Sequence, residues 1–309
     1  MGATTTQINT YYAVGNREGL TSEVADLFAD DTPFFAMCQK VKTNSTHPEW
    51  QTDALASSST TAIVEGASTT YTQPGTRVRK SNYTHIRKRV YSLTFSQMKM
   101  DVAGIKDQWG REVMKAMKAL ALDYEKIFLN TGTTGAGTTA AGRKCMGIQK
   151  AIVTNTAQGS GSPATSSIQI SEDNVNLMLQ KIWTAGGDPR ALFCGGFSKQ
   201  VISKKFTAKT GFSWNVNASA RTAIANINKY EGSFGTLDII PSREHIASRA
   251  TIVTPDQLKC FVFNDIARYD GAQTKSSKDG WVEGELSLGW GNQKAHAKLT
   301  YLRTSGTIA

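Results

Sequence analysis

The chain has 309 residues, 39% apolar and 19% charged, and its 35 basic and 25 acidic side chains leave a formal charge of +10. That length suits one large domain or two ordinary ones, and the modest apolar share places much of the chain in loops, arms or polar strands. No apolar run approaches the ~18 residues of a membrane helix, so no spanning helix is expected, and Met1-Gly2-Ala3-Thr4 has no basic stretch leading into an apolar one, so no secretory signal is expected either.

Residues 1–20 show no period and suit an extended arm. Ser22 caps a short helix at about 23–30 with Val24, Leu27 and Phe28 on one face, and Asp30-Asp31-Thr32-Pro33 ends it. Phe34, Phe35 and Met37 form an apolar cluster. The stretch 45–100 runs from His47-Pro48-Glu49-Trp50 through small polar residues to the β-branched and aromatic run 82–96, which suits a long two-stranded hairpin with a loose middle. Such a hairpin is marginal alone, so support from outside it is expected.

Ile105, Trp109, Val113, Met117, Leu120, Tyr124 and Ile127 step by three or four and predict a helix over about 105–130, closed by Asn130-Thr131-Gly132. Gly110 inside it costs about 1 kcal/mol relative to alanine. Residues 132–142 are a Gly/Thr/Ala loop. Ser171 caps a helix reaching Ala185, with Val175, Met178, Leu179, Ile182 and Trp183 on its face. Residues 191–194, 236–240, 250–253 and 260–263 predict strands, and 198–206 a helix. Trp281–Trp290 and Gln293–Leu302 read as two strands joined by a tight turn at Gly291-Asn292.

Several chemical motifs fail on inspection. Gly137–Gly142 is followed by Arg143-Lys144 where a phosphate loop needs Lys-Ser or Lys-Thr, and it follows a helix rather than a strand. The same context rejects Gly135-Ala136-Gly137 as a dinucleotide fingerprint. Gly196-Phe197-Ser198-Lys199-Gln200 lacks the final glycine of a nucleophile elbow. His47, His85, His245 and His296 are scattered, so no metal site is expected, and His47 with Glu49 and Asp53 suits hydrogen bonding at a surface. Glu283 and Glu285 read as neighbouring outward carboxylates on a solvated strand. Cys38, Cys145, Cys194 and Cys260 form no CxxC pair and read as small buried residues of a reducing compartment. No cofactor, metal or catalytic constellation is expected, and the chain does not read as an enzyme.

Charge is uneven. Residues 1–45 carry 3 basic and 5 acidic groups, whereas 46–100 carry 7 and 3. Arg77, Arg79, Lys80, Arg87, Lys88 and Arg89 lie within thirteen residues without an acid. Bases among aromatics suit single-stranded nucleic acid, so a basic nucleic-acid-binding protein using 77–91 is one alternative, and a plain solvated surface is another. Contact between this cluster and the acidic arm of a neighbouring copy, through Glu23, Asp26, Asp30 and Asp31, explains both charge blocks and the unsupported hairpin.

The ordered set His47–Leu55, Ser81–Ile86, Asp123–Asn130, Gly142–Ile148 and Tyr269–Leu302 resembles the major capsid proteins of tailed bacteriophages over about residues 20–302. His85 and the Gly/Thr-rich 132–142 loop depart from the family's pattern. The resemblance implies an α+β fold of the Hong Kong 97 type. It implies an N-terminal arm (1–44), an extended loop (45–98), a peripheral domain (99–149 with 257–309) carrying a spine helix at about 105–130, and an α/β axial domain (150–256). It further implies self-assembly into hexamers and pentamers of an icosahedral head shell around double-stranded DNA, in the virion, after assembly in the host bacterial cytoplasm. The implied partners are copies of the chain, with portal, scaffolding and decoration proteins and non-specific contact to packaged DNA, and no membrane.

Overall fold

The computed structural model describes residues 31–306 apart from 57, 70, 72–74, 103, 159–168, 210–226 and 274. The expected helix at 23–30, with Glu23, Asp26 and Asp30, lies outside these residues. In chain order the first elements are α1 (Pro33–Met37), β1 (Gln39–Lys42), β2 (Glu49–Thr52), β3 (Val78–Ser81), β4 (His85–Thr94), α2 (Phe95–Lys99), α3 (Gln108–Asn130) and α4 (Ile148–Ala151). There follow β5 (Thr156–Gln158), α5 (Glu172–Thr184), β6 (Ala191–Cys194), α6 (Gly196–Lys209), β7 (Lys229–Gly232), β8 (Gly235–Pro241) and β9 (Ala250–Val253). The last are β10 (Lys259–Asp270), β11 (Ser277–Gly289) and β12 (Ala297–Thr300).

The strands form a four-stranded sheet in the order β1-β10-β11-β4, a six-stranded sheet in the order β5-β12-β9-β6-β8-β7, and the separate pair β2-β3. The long helix α3 lies on the four-stranded sheet and buries Trp109, Val113, Ala116, Leu120, Tyr124 and Phe128. Ala116, not Met117, fills the face at its turn. Met117 sits one residue on, about 100° round the helix, and is 39% exposed. Gly110 has a positive role. The Asp107 side chain caps α3 by accepting the Gly110 N–H at 3.0 Å, and a Cβ at 110 would run into that carboxylate. Tyr124 crosses to the sheet, where its hydroxyl donates to the carbonyl of His85 at 3.1 Å.

Pro33 opens α1. Proline suits the first turn because its missing N–H has no partner to lose there. The next two N–H groups, of Phe34 and Phe35, donate to the Glu125 carboxylate at 3.1 and 2.7 Å. Phe34 then meets Phe193 edge-on and Phe35 stacks over Tyr124.

In the six-stranded sheet β6 is buried on both faces. Ala191 and Phe193 point into the core beneath α3, while Leu192 and Cys194 point into a second core with Val175, Met178, Leu179 and Ile182 of α5. Ser171 caps α5 as expected, but Trp183 is exposed and contacts only Phe234 among the rings described.

Two strand expectations are corrected. The run 82–96 is not the second arm of the hairpin: β2 pairs with β3, and β4 pairs with β11. Gly291-Asn292 does not close a hairpin. Gly291 takes a φ of +54°, a short 3-10 turn follows, and β12 enters the other sheet between β5 and β9. Leu299 finds its apolar neighbours in the second core, which draws the strand away from β11. The true hairpin there is β10 with β11.

Candidate assembly surface

The β2–β3 pair is held at its root by its own chain. Trp50 donates its indole N–H to the Gly291 carbonyl at 3.0 Å, stacks near Phe261 and meets Trp290 edge-on at 4.9 Å. His47 stacks on Tyr83 at 4.1 Å and lies 3.8 Å from Glu49. External support is therefore not needed at the root. Beyond Thr52 the chain leaves the body. Among the described residues of 53–77 there is no helix or strand, and Leu55 is 99% exposed, Tyr71 93%, Ile63 84% and Val64 79%. Large apolar side chains gathered on one projecting segment mark a surface that another molecule covers.

The basic cluster is divided. Arg77 and Arg79 lie at the hairpin, 3.3 Å from Asp53 and 3.2 Å from Glu49, and Lys80 stands opposite Trp50 in the register. Arg87 and Arg89 on β4 converge on one carboxylate, Asp123 of α3, at 2.8 and 2.6 Å. Lys88 points to the other face and lies over the Trp281 ring at 4.3 Å. No continuous basic stripe with interleaved aromatics results, and nothing supports the nucleic-acid reading of 77–91. Among the described residues β4 pairs only with β11, so its outer edge is open. Arginine and lysine on such a strand discourage indiscriminate strand addition. Asp31, exposed, lies two residues before α1. Beside Lys88, Ile86, Val90 and Tyr269 are exposed, and Tyr269 stacks on Trp281 at 5.8 Å. Sequence reasoning missed this face, although the period-2 placement of Ile86, Lys88 and Val90 signals it.

Glu285 corrects another expectation. It is buried, not solvated, and binds the Arg143 guanidinium at 2.5 Å and the Thr84 hydroxyl. This pair anchors the far end of the 132–142 loop, and Gly135 and Lys144 exchange backbone hydrogen bonds across the loop's base. The four cysteines are free and buried; burial pushes the Cys145 thiol up to about 11 and those of Cys194 and Cys260 to about 12. They are poor nucleophiles in that state. No cluster of His, Cys, Asp and Glu able to hold a metal is found among the described residues, and none of their helices is long and apolar enough to cross a membrane.

The described residues form two sheets, with large apolar side chains exposed along 53–77. The SU10 major capsid protein family matches residues 2–303. The chain belongs to that family. The major capsid protein of Escherichia phage Phieco32 is 32% identical to this capsid protein over 123 residues, 38% of this chain and 33% of the relative. The matched stretch thus spans about a third of that relative's length. Among solved structures, the capsid asymmetric unit of cyanophage A-1(L) has a TM-score of 0.71 at 10% identity, covering 96% of this chain and 99% of that one. The capsid of Gordonia phage Cozz gives 0.63 at 13% identity, covering 94% and 92%. The holo-SrpI encapsulin complex of Synechococcus elongatus PCC 7942 gives 0.60 at 9% identity, covering 94% of both chains. At such identities these structures show the fold alone, which is the Hong Kong 97 type. That fold serves an encapsulin as well as phage heads, so it is the family match that places this chain among major capsid proteins. Family and fold are those of structural capsid proteins.

Proposed function

We propose that the protein builds the icosahedral head shell of a tailed phage by joining copies of itself into hexamers and pentamers around double-stranded DNA. Shell formation itself follows from family membership. The exposure of Leu55, Ile63, Val64 and Tyr71 on 53–77 carries the assembly mechanism. In this reading 1–44 is an arm, 45–98 an extended loop laid across a neighbour, 99–149 with 257–309 the peripheral domain, and 150–256 the axial domain. Each contact is modest, and a closed symmetric shell multiplies it through several neighbours per subunit. Arg77, Arg79, Lys80 and Lys88 meet the acidic residues Glu23, Asp26, Asp30 and Asp31 of adjacent copies; Arg87 and Arg89 assist while shared with Asp123. Portal, scaffolding and decoration proteins and packaged DNA are further partners, and assembly takes place in the bacterial cytoplasm.

Negative-stain microscopy of the chain expressed alone, beside a variant with Leu55, Ile63, Val64 and Tyr71 changed to Ser, tests the mechanism. Closed particles from the wild type and soluble, folded subunits from the variant are expected. Normal shells from the variant would remove the loop from assembly. A small wild-type species with steeply salt-dependent affinity for nucleic acid would instead favour a basic nucleic-acid-binding protein.

A further inference from the structure

One flank of α3 carries apolar side chains that the described residues leave exposed. Met114, Met117, Ala121 and Glu125 step by three, four and four, so they lie in a row along the helix, beside the core stripe rather than within it. Met114 is 62% exposed and Met117 39%. At the far end of the row the Glu125 carboxylate is buried, because the N–H groups of Phe34 and Phe35 donate to it at 3.1 and 2.7 Å. The helix α1 therefore begins at one end of the row, and the chain that precedes Pro33 starts from there. The uncovered part runs from Ala121, half-buried, back to Met114. At 1.5 Å per residue, Met114 stands about 16 Å from Glu125 along the axis.

The sequence before Pro33 fits that row. Val24, Leu27 and Phe28 form the apolar face of the helix predicted over 23–30, and Glu23, Asp26 and Asp30 step along its other side. Eight helical residues span about 12 Å, and only Asp31 and Thr32 separate them from α1. A helix that short does not hold in water by itself, so its apolar face needs a surface. Methionine suits the task, since its unbranched thioether chain adapts to the side chain that meets it. Charge points the same way. Residues 1–30 hold four acids and one base, and α3 carries Arg111, Lys115 and Lys118 beside the two methionines.

We propose that residues 23–30 fold back on their own subunit as a helix that runs parallel to α3 and seats Val24, Leu27 and Phe28 on the Met114–Met117–Ala121 row. The order follows from the tether at Glu125. Phe28, nearest Pro33, comes over Ala121, whose methyl leaves room for a ring, and Val24 comes over Met114 and Met117. Glu23, Asp26 and Asp30 stay outward, towards the basic rim of α3 and, in the assembly proposed above, towards the basic residues of adjacent copies. The two-residue tether makes the contact intramolecular, which gives the subunit's own segment an effective concentration that a second copy's segment lacks.

Methionine oxidation of the unassembled full chain by dilute peroxide, read by mass spectrometry, tests the seat. Met100 is 66% exposed and serves as the bare reference. Met114 should oxidise about five-fold more slowly than Met100 in the wild type, and at a similar rate once Val24, Leu27 and Phe28 are changed to Ser. Amide exchange of 120–128 should stay slow in both proteins, which shows that the variant is folded. A cysteine pair separates own-chain from cross-chain seating. Leu27→Cys with Met117→Cys should oxidise to a disulfide within one chain, seen as a faster monomer band without reductant, while the four buried native cysteines stay free. Leu27→Cys with Lys115→Cys, on another side of α3, should not. Equal oxidation of Met114 and Met100 in the wild type, no change on serine substitution, a pair that crosslinks as readily through 115 as through 117, or a disulfide found only between chains would each overturn the seat. All of these are measured before assembly, so a failure to form shells is read separately.

Discussion

Arg143 and Glu285 form the most consequential single contact outside the apolar cores, because Glu285 is only 5% exposed and the guanidinium beside it 28%. Removing one member of a buried pair leaves a charge without its counter-ion, which costs about 3–5 kcal/mol. Arg143→Ala should therefore lower the unfolding free energy of the unassembled subunit by that much in chemical denaturation, and a midpoint near wild type would show that water already solvates Glu285. Gly110 gives a second residue-scale prediction. Alanine there gains up to ~1 kcal/mol of helix propensity but displaces the Asp107 cap, worth about the same. Gly110→Ala alone should bring no net gain in chemical denaturation, and in an Asp107→Ala background it should stabilise by about 1 kcal/mol. Equal effects in both backgrounds would mean that cap and methyl do not compete.

Among the elements, α3 was the most legible in sequence, since its three-and-four stepping appears without tertiary knowledge. The structure changes which side chains matter on it. Leu120 is fully buried in the core that also holds Leu286 and Leu288, and Met117 is not. Leu120→Ala should cost about 2–5 kcal/mol, whereas Met117→Ala should stay within about 0.5 kcal/mol. Comparable losses would return Met117 to the core. The basic run behaves differently at this scale. Reversing Arg87 and Arg89 to Glu brings two carboxylates against Asp123, so the subunit's own stability should fall before any assembly defect is read. A double-mutant cycle with Asp123→Asn separates the two: stability restored in the combined variant identifies an intramolecular role, and a persistent defect in shell formation alone identifies an intersubunit one.

For the whole molecule, the buried histidines His245 and His296 set the acid limit. Their folded-state pKa values are lowered to about 4 from an ordinary 6.5. The stability they contribute is fully present above pH 6.5 and is lost as pH falls towards 4, by roughly 3 kcal/mol for each. Glu125, raised by burial, works the other way: its share is present at low pH and is lost as pH rises through its folded value. Burial lowers His85 as well, so with three imidazoles against one carboxyl the unassembled subunit should lose net stability between pH 6.5 and 4 in urea titrations. A flat profile would mean that the histidines are hydrated in the native state.

The sequence by itself determined the elements whose signals are local or ordered along the chain. These are α3 as a striped helix, α5 with its Ser171 cap, β6 as a short buried run, β9 as a strand, and the succession of segments that resembles phage capsid proteins. Periodicity, caps and segment order survive without knowledge of what lies across the fold. Partner choice between distant strands does not survive in the same way. That β4 joins β11 and leaves β2 with β3, that β12 crosses into the second sheet, and that Pro33 starts a helix capped by a carboxylate 92 residues further along were decided only by the tertiary structure. The same holds for the surface. Six bases in a row of thirteen residues look alike in sequence, yet Asp123 claims two of them and Trp281 another, because alternate residues of a strand face opposite sides and meet different neighbours. Burial of Glu285 and of the two histidines likewise depends on what packs over them, which no local pattern encodes.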